Sequence, residues 1–294
     1  MFKMKLELNK RGTISMRKLA LIGDSHGNYQ ALKAVLEDAH NQNVDDYIVL
    51  GDITNRGPEP LECVEALQQV KSLTWIIGNH EAVYRSLIDH QFTGFEDNPK
   101  AIMAIITSAY DREKLGKEKF DWLSQLPLNQ EVKVEGITFN IFHSTPTKCR
   151  GGFSYPTNEQ ANFDELMSQT DADVGIYGHT HRSILRMTND GRYIFNPGSV
   201  GMPVSDRLEI SGKASYGILT IDQRSVLSWD QRNVPYDLEK ELQIAREREI
   251  PYYALYEELL RTGKFTFNPD KVSAENQKQD YLAQALSDVE KIEW

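Results

Sequence analysis

Cysteine is scarce in this sequence: only Cys63 and Cys149 occur among 294 residues. Two cysteines exclude a disulfide scaffold, and the absence of a CxxC pair excludes a cysteine-based zinc finger. We therefore predict a protein of a reducing compartment, the cytoplasm. Its core must come from apolar burial, for which a chain with 40% hydrophobic residues has ample material.

Long apolar runs and excess basic charge are missing as well. No stretch approaches the roughly 20 apolar residues of a membrane helix, and residues 1–15 lack the apolar centre of a signal peptide. The formal net charge of -10 excludes a broad basic face for nucleic acid, because that binding mode needs clustered Lys and Arg. The composition is compatible with a local cationic pocket and a small-molecule partner, and we expect no membrane contact.

Short apolar runs alternate with helical periodicity in the first hundred residues. Residues 18–22, 47–50 and 73–77 have the pattern of buried strands, and each precedes a segment with apolar residues at helical spacing. Three successive strand–helix units predict a parallel sheet that is covered by helices.

The remaining chain divides into a helical segment, a β-rich segment and a second helical segment. Residues 98–126 predict an inserted helical cap, with ordinary packing helices as the alternative. We expect a main domain of residues 16–235, a short extension at 1–15 and a helical extension at 236–294. The last is expected to pack on the domain, with a specificity role or a homo-oligomer contact as alternatives. Strands are predicted at residues 131–134, 137–142, 174–177, 193–195, 216–221 and 226–229.

Metal-binding and phosphate-binding side chains follow the predicted strands. Of seven histidines only His40 and His90 lie elsewhere. Taken singly, each such residue is compatible with a hydrogen-bonded core histidine or a turn. Together they predict a shared site, because loops at the carboxyl ends of strands converge in space. Mixed oxygen and imidazole ligands suit Mn, Fe, Ni, Co or Zn better than Ca or Mg, and the set is large enough for two cations that share a carboxylate.

Five sequence blocks resemble the motifs of the calcineurin-like metallophosphoesterases, in the order of that family. The likeness spans residues 18–234, and Asn196-Pro197-Gly198-Ser199-Val200-Gly201 looks like a segment of the smaller bacterial and archaeal phosphodiesterases. The resemblance implies a four-layer α/β/β/α sandwich of two mixed sheets, with a dinuclear metal site at the strand ends. The blocks are Asp24-x-His26, Gly51-Asp52 with Arg56-Gly57, Gly78-Asn79-His80-Glu81, His143, and Gly178-His179-Thr180-His181.

The resemblance also implies two metal ions, with Asp52 as the bridging ligand. Manganese and iron are the expected metals, and nickel, cobalt and zinc are alternatives. Each metal then has three further ligands. They are Asp24, His26 and His181 for the first metal, and Asn79, His143 and His179 for the second.

The catalytic roles implied by the resemblance fall on Asp52 and His80. Two cations would deliver hydroxide in line to phosphorus, and His80 beside Asn79 would contact the phosphate and protonate the leaving oxygen. Arg56 would clamp a phosphate, with a surface ion pair as the alternative. Residues 148–152 (Lys-Cys-Arg-Gly-Gly) are expected at the mouth of the site, either as a further phosphate contact or as a solvated loop.

The function implied is hydrolysis of a nucleotide-type phosphodiester or phosphoanhydride, and its most specific version is an asymmetric diadenosine tetraphosphate hydrolase. A protein Ser/Thr phosphatase or a phosphomonoester phosphatase is the alternative enzyme. A non-catalytic interaction scaffold of the same fold is the alternative outside catalysis. The scaffold hypothesis predicts that metal ligands or His80 are lost, and the sequence retains them all.

Overall fold

The computed structural model describes residues 16–207, 209–292 and 294, so the extension predicted at residues 1–15 lies outside the described residues. The described chain forms two five-stranded mixed sheets that are flanked by helices. The strands are β1 (Arg17–Ile22), β2 (Asp46–Val49), β3 (Ser72–Trp75), β4 (Asn129–Val134), β5 (Ile137–Phe142), β6 (Val174–Ile176), β7 (Ser183–Met187), β8 (Tyr193–Pro197), β9 (Lys213–Asp222) and β10 (Ser225–Pro235). The helices are α1 (Tyr29–Asn41), α2 (Pro60–Gln68), α3 (Asn79–Ile88), α4 (Pro99–Ser124), α5 (Gln160–Leu166), α6 (Leu238–Glu247), α7 (Tyr253–Thr262), α8 (Pro269–Lys278) and α9 (Tyr281–Lys291).

The first sheet has the strand order β10-β9-β1-β2-β3. Strands β1, β2 and β3 are parallel, as the three strand–helix units predict, while β9 and β10 add on in antiparallel fashion. Helix α1 begins where the Asn28 side chain accepts a hydrogen bond from the Ala31 N–H at 3.0 Å. Helix α2 begins with Pro60 in its first turn, where a missing N–H costs nothing.

The second sheet has the strand order β4-β5-β6-β8-β7. Its central strands β5, β6 and β8 are parallel, and the antiparallel strands β4 and β7 form the two edges. Sequence periodicity missed β7, whose outward side chains Ser183, Leu185 and Met187 are exposed. An edge strand with apolar residues on its exposed positions lacks the alternation that marks a half-buried strand.

Alternate residues of the central strands face opposite layers. Leu19 and Leu21 of β1 point into the core between the sheets, where they join Phe139 and Ile141 of β5. The intervening residues of β1, such as Ile22, pack under the helices of the first sheet. Strands buried on both faces are continuously apolar, which explains the runs in the sequence. The four-layer α/β/β/α sandwich of two mixed sheets is confirmed.

The segment predicted as a helical insertion is the long helix α4. It breaks at Gly116, where φ is 72°, and its buried residues Ile102, Ile105 and Phe120 join the core beneath the helices of the first sheet. The helices after Pro235 pack on the same layer, and the ring of Trp294 lies 6.0 Å from that of Phe120. No helix among the described residues combines the length and apolarity that crossing a membrane requires.

Candidate metal centre

The residues predicted as ligands come together at the carboxyl ends of strands from both sheets. Strand β1 leads to Asp24, β2 to Asp52 and β5 to His143, and these three side chains are buried. Many of the ligands occupy the left-handed region, which costs of order 1–3 kcal/mol for a residue other than glycine and is common at active sites. Positive φ angles occur at Asp24, His26, Asp52, His179 and His181.

The first cluster contains Asp24, His26, Asp52 and His181, with one ligand atom of each within 4.8 Å of the others. The Nε2 atoms of His26 and His181 are 3.0 Å apart. The Asp24 Oδ1 atom lies 3.4 Å from Nε2 of His181, and the Asp52 Oδ2 atom lies 3.8 Å from Nε2 of His26. Two carboxylates and two imidazoles around one point form a donor set for a transition-metal ion.

The second cluster contains Asp52, His143 and His179, within the same limit of 4.8 Å. The Asp52 Oδ2 atom lies 3.2 Å from Nε2 of His143. The side-chain amide of Asn79 lies 2.7 Å from Nδ1 of His179. Asp52 therefore belongs to both clusters, and its Oδ2 atom lies near an imidazole of each.

Backbone carbonyls orient the imidazoles of both clusters. The Nδ1 atom of His143 is 2.6 Å from the Leu50 carbonyl oxygen, and Nδ1 of His181 is 2.7 Å from that of Met202. An Nδ1–H group that donates to a carbonyl leaves the Nε2 lone pair for a cation, and metal-binding histidines are generally held in this way. The ring orientation fits metal binding, independently of the residue types.

The two carboxylates of the centre decide the protonation of the nearby His143 imidazole. Burial lowers the pKa of His143, but the carboxylates of Asp52 and Asp24 outweigh burial and raise that pKa to about 10. Burial raises the pKa of Asp52, but His143 and His80 hold it well below its usual value. Carboxylates that favour a proton on His143 this strongly also favour a metal cation at the same point. When a metal binds to the imidazole, it displaces that proton.

Glu81 is a component of the site to which sequence reasoning gave no role. Its buried carboxylate accepts hydrogen bonds from the backbone N–H groups of Asp52 at 2.9 Å, Ile53 at 2.8 Å and Gly78 at 3.0 Å. These bonds join the loop after β2 to the loop after β3. The available sequence signal was the carboxylate of the Gly78-Asn79-His80-Glu81 block, since a buried charge needs several partners.

His80 lies against the first cluster. Its ring centroid is 5.2 Å from that of His26, and its backbone N–H donates to Asp52 Oδ1 at 2.9 Å. Burial lowers the pKa of His80 to about 3, although the Asp52 carboxylate acts in the opposite direction. At neutral pH the ring is therefore uncharged in this arrangement and donates through one N–H.

Arg56 is buried beside this centre and forms no ion pair among the described residues. Its Nε and Nη1 atoms lack hydrogen-bond partners, and its Cζ atom lies 4.3 Å from the centroid of the Phe267 ring. Burial lowers the pKa of Arg56 to about 10, and the group remains charged at neutral pH. The surface ion pair that was the alternative role for Arg56 is therefore absent from the described structure.

The basic loop after His143 lies beside the second cluster. The Gly151 carbonyl oxygen is 3.1 Å from Nε2 of His179. Lys148 and Arg150 line a cavity of about 520 Å³ that also includes Gly151. The loop is thus adjacent to the metal centre, with its two cations beside a separate cavity.

Comparison with known proteins is consistent with this geometry. The sequence model of the calcineurin-like phosphoesterase superfamily domain matches residues 17–224. An uncharacterised protein of Methanocaldococcus jannaschii is 27% identical over 242 residues, which cover 79% of this chain and 93% of the relative. The symmetrical bis(5'-nucleosyl)-tetraphosphatase of Pseudomonas entomophila is 45% identical over 118 residues, but these cover only 40% of this chain and 39% of that enzyme.

A solved structure shares both fold and moderate sequence identity. The metallophosphoesterase from Sphaerobacter thermophilus has a TM-score of 0.65 and 26% identity, and the match covers 84% of this chain and 99% of that one. A hypothetical protein from Pyrococcus horikoshii has a TM-score of 0.68 and 21% identity over 84% of this chain and 98% of its own, which supports the fold alone.

Proposed function

The chain belongs to the calcineurin-like phosphoesterase superfamily and is a metal-dependent hydrolase, and from that premise we propose that it hydrolyses a nucleotide-type phosphodiester or phosphoanhydride. The observation that carries this proposal is the position of Asp52 in both ligand clusters. A carboxylate shared by two sets of oriented imidazoles is suited to a pair of metal ions, and such pairs act on phosphate esters.

The proposed metals are manganese and iron, with nickel, cobalt and zinc as alternatives. When bound, two such cations neutralise phosphate charge and acidify water for attack on phosphorus. Asp52 would contribute its carboxylate to both positions. The remaining proposed ligands are Asp24, His26 and His181 for the first position, and Asn79, His143 and His179 for the second.

His80 and Arg56 supply the proposed contacts with substrate. The neutral His80 ring donates a hydrogen bond to a phosphate oxygen, and a bound phosphate anion raises the pKa of the imidazole. With its pKa raised, the imidazole takes up a proton from solvent and passes that proton to the leaving oxygen. Arg56 has two unpartnered nitrogens, Nε and Nη1, whose N–H groups can donate to a phosphate group of the substrate.

The proposed substrate is a dinucleoside polyphosphate. Support comes from the tetraphosphatases that match about two-fifths of the chain. These relatives carry the symmetrical name, so they give no support to the asymmetric cleavage expected from the sequence. The products decide between the two modes: AMP and ATP from asymmetric cleavage, or two ADP molecules from symmetric cleavage.

The test is a substrate panel on metal-stripped protein that has been reconstituted with Mn²⁺. The panel contains diadenosine tetraphosphate, bis-p-nitrophenyl phosphate, p-nitrophenyl phosphate and a phosphopeptide. Preferred turnover of the dinucleotide supports the proposal, whereas preference for p-nitrophenyl phosphate or the phosphopeptide replaces it with a phosphatase. Preference for the simple diester leaves a general phosphodiesterase, and no turnover with both metals bound supports the scaffold hypothesis.

We also propose a cytoplasmic location. Both Cys63 and Cys149 are buried free thiols. Unpaired thiols are typical of reducing compartments. Alkylation of the denatured protein, taken directly from cells, measures their redox state, and a disulfide in that sample would contradict this location.

A further inference from the structure

Phe267 connects the C-terminal extension to the metal centre. It lies beyond residues 17–224, the part that matches the superfamily, yet its side chain is 1% exposed. The Arg56 guanidinium carbon is 4.3 Å from the centroid of its ring, and its carbonyl oxygen accepts a hydrogen bond from Lys100 Nζ. One residue of the extension therefore contacts two cations.

Lys100 is placed by the first turn of α4. The Asn98 side chain caps this helix by accepting from the Lys100 N–H at 3.1 Å. Thr107 lies two turns further along the same helix face, and its hydroxyl accepts from the Asn55 side chain at 3.0 Å. Since Asn55 directly precedes Arg56, the Lys100 face of α4 is turned toward the Arg56 loop.

The segment that contains Phe267 is fixed at both ends. The Asn276 side chain donates to the Pro99 carbonyl at 3.2 Å, which ties α8 to the start of α4. The Ser205 N–H donates to the Gly263 carbonyl at 2.9 Å, which ties the segment to the loop after Met202, whose carbonyl contacts Nδ1 of His181. Phe267 is thus held between α4 and the metal centre.

The two cations form no ion pair within the described structure, although the Asp52 carboxylate acts on Arg56 from a distance, against the lowering of its pKa by burial. Among the described residues, no carboxylate forms an ion pair with Arg56 or Lys100, and two guanidinium nitrogens of Arg56 are buried without partners. Burial, and after it the charge of Arg56, lower the pKa of Lys100 to about 8. Buried charges of like sign are costly unless an anion joins them. The arrangement is suited to a ligand that brings negative charge.

We propose that Arg56 and Lys100, aligned by Phe267, form a second phosphate subsite beside the metal centre, which selects substrates with at least two consecutive phosphate groups. This inference rests on the proposed function, because the metal centre takes the first phosphate. Arg56 supplies planar fork geometry and Lys100 a point charge with further N–H donors. Phe267 is a positioning residue that acts through both cations.

The test measures binding as well as turnover. The full-length, Mn²⁺-loaded protein is titrated calorimetrically with methylphosphonate and with methylenediphosphonate, at a fixed Mn²⁺ excess with blank titrations subtracted. We expect the unmodified chain to prefer the diphosphonate. Lys100→Met should reduce that preference about tenfold, the size of one charge-assisted hydrogen bond, and leave methylphosphonate affinity unchanged. The matched control is Lys114→Met, which removes the same charge from a distant part of α4.

Phe267 variants test the positioning role. Phe267→Leu keeps an apolar side chain but removes the ring, and we expect it to reduce the diphosphonate preference and to raise KM for diadenosine tetraphosphate. Its KM for bis-p-nitrophenyl phosphate should not change. Phe267→Tyr keeps the ring and should restore the preference.

The outcomes separate this inference from the proposed function. An unchanged preference in Lys100→Met, or an equal loss of affinity for both phosphonates, overturns the second subsite. Equal effects of Phe267→Leu and Phe267→Tyr overturn the positioning role. A chain that prefers the diphosphonate through Lys100 but hydrolyses no phosphate ester supports the subsite and overturns the enzymatic proposal.

Discussion

The Glu81 carboxylate accepts a hydrogen bond from the backbone N–H of Asp52 at 2.9 Å. The same oxygen accepts from the Gly78 N–H at 3.0 Å, and the other oxygen accepts from Ile53 at 2.8 Å. Asp52 in turn accepts from the His80 N–H at 2.9 Å. The proposed bridging ligand and the proposed proton donor are therefore positioned by the same buried carboxylate.

Glu81→Gln should weaken both the fold and metal retention. An amide replaces at least one oxygen with an NH₂ group that faces N–H donors, so hydrogen bonds are lost and a buried polar group remains unpaired. We expect the free energy of unfolding to fall by about 2 kcal/mol or more. Urea unfolding and the metal content after dialysis check this expectation. Glu37→Gln, on an exposed position of α1, is the control, and equal stability of the two variants would contradict the role of Glu81.

Asp52→Asn tests the bridging assignment. The amide lacks the charge that draws two cations together, so metal affinity at both positions should fall at least about tenfold. Metal content at graded chelator concentrations measures this loss. The exposed Asp97→Asn variant controls for removal of one negative charge. Loss of only one metal, or unchanged content, would remove Asp52 from the bridge.

His80→Ala separates proton donation from metal binding. His80 is absent from the two carboxylate–histidine clusters, so both metals should remain bound. Turnover should fall about 100-fold or more, because proton transfer to the leaving oxygen is lost. Metal analysis and kcat on one preparation test both parts, with the exposed His40→Ala as control. Near-native turnover would remove His80 from the mechanism.

The sequence predicts well what depends on local pattern. Strands buried on both faces are apolar throughout, so β1 and β2 are recognisable. Parallel strands end at a common edge, so ligands that are distant in sequence, such as Asp24 and His181, can be placed together before the structure is known. The structure confirms the two mixed sheets that these patterns predict.

Contacts between distant segments could not be predicted in this way. No periodicity links Phe267 to Arg56, because their contact depends on how α8 packs against α4. The role of Glu81 depends on backbone N–H groups, which every residue other than proline possesses. The far end of β10 was missed beyond Trp229 because many of its side chains are partly exposed and polar.

Glu241 predicts an effect of pH on stability away from the metal centre. Burial raises its pKa to about 8 from a usual 4.5, although the Tyr256 hydroxyl donates to it at 2.7 Å. Because the folded pKa is the higher one, the contribution is complete below about pH 4.5 and is lost as pH rises to about 8. Glu241→Gln stays neutral, so its stability relative to the unmodified chain should improve by on the order of 1–3 kcal/mol between about pH 5.5 and 8.5. Urea unfolding measures this difference, and exposed Glu239→Gln is the control because Arg261 lowers the pKa of Glu239. A difference for Glu241→Gln that does not change with pH would show that Glu241 is charged throughout this range.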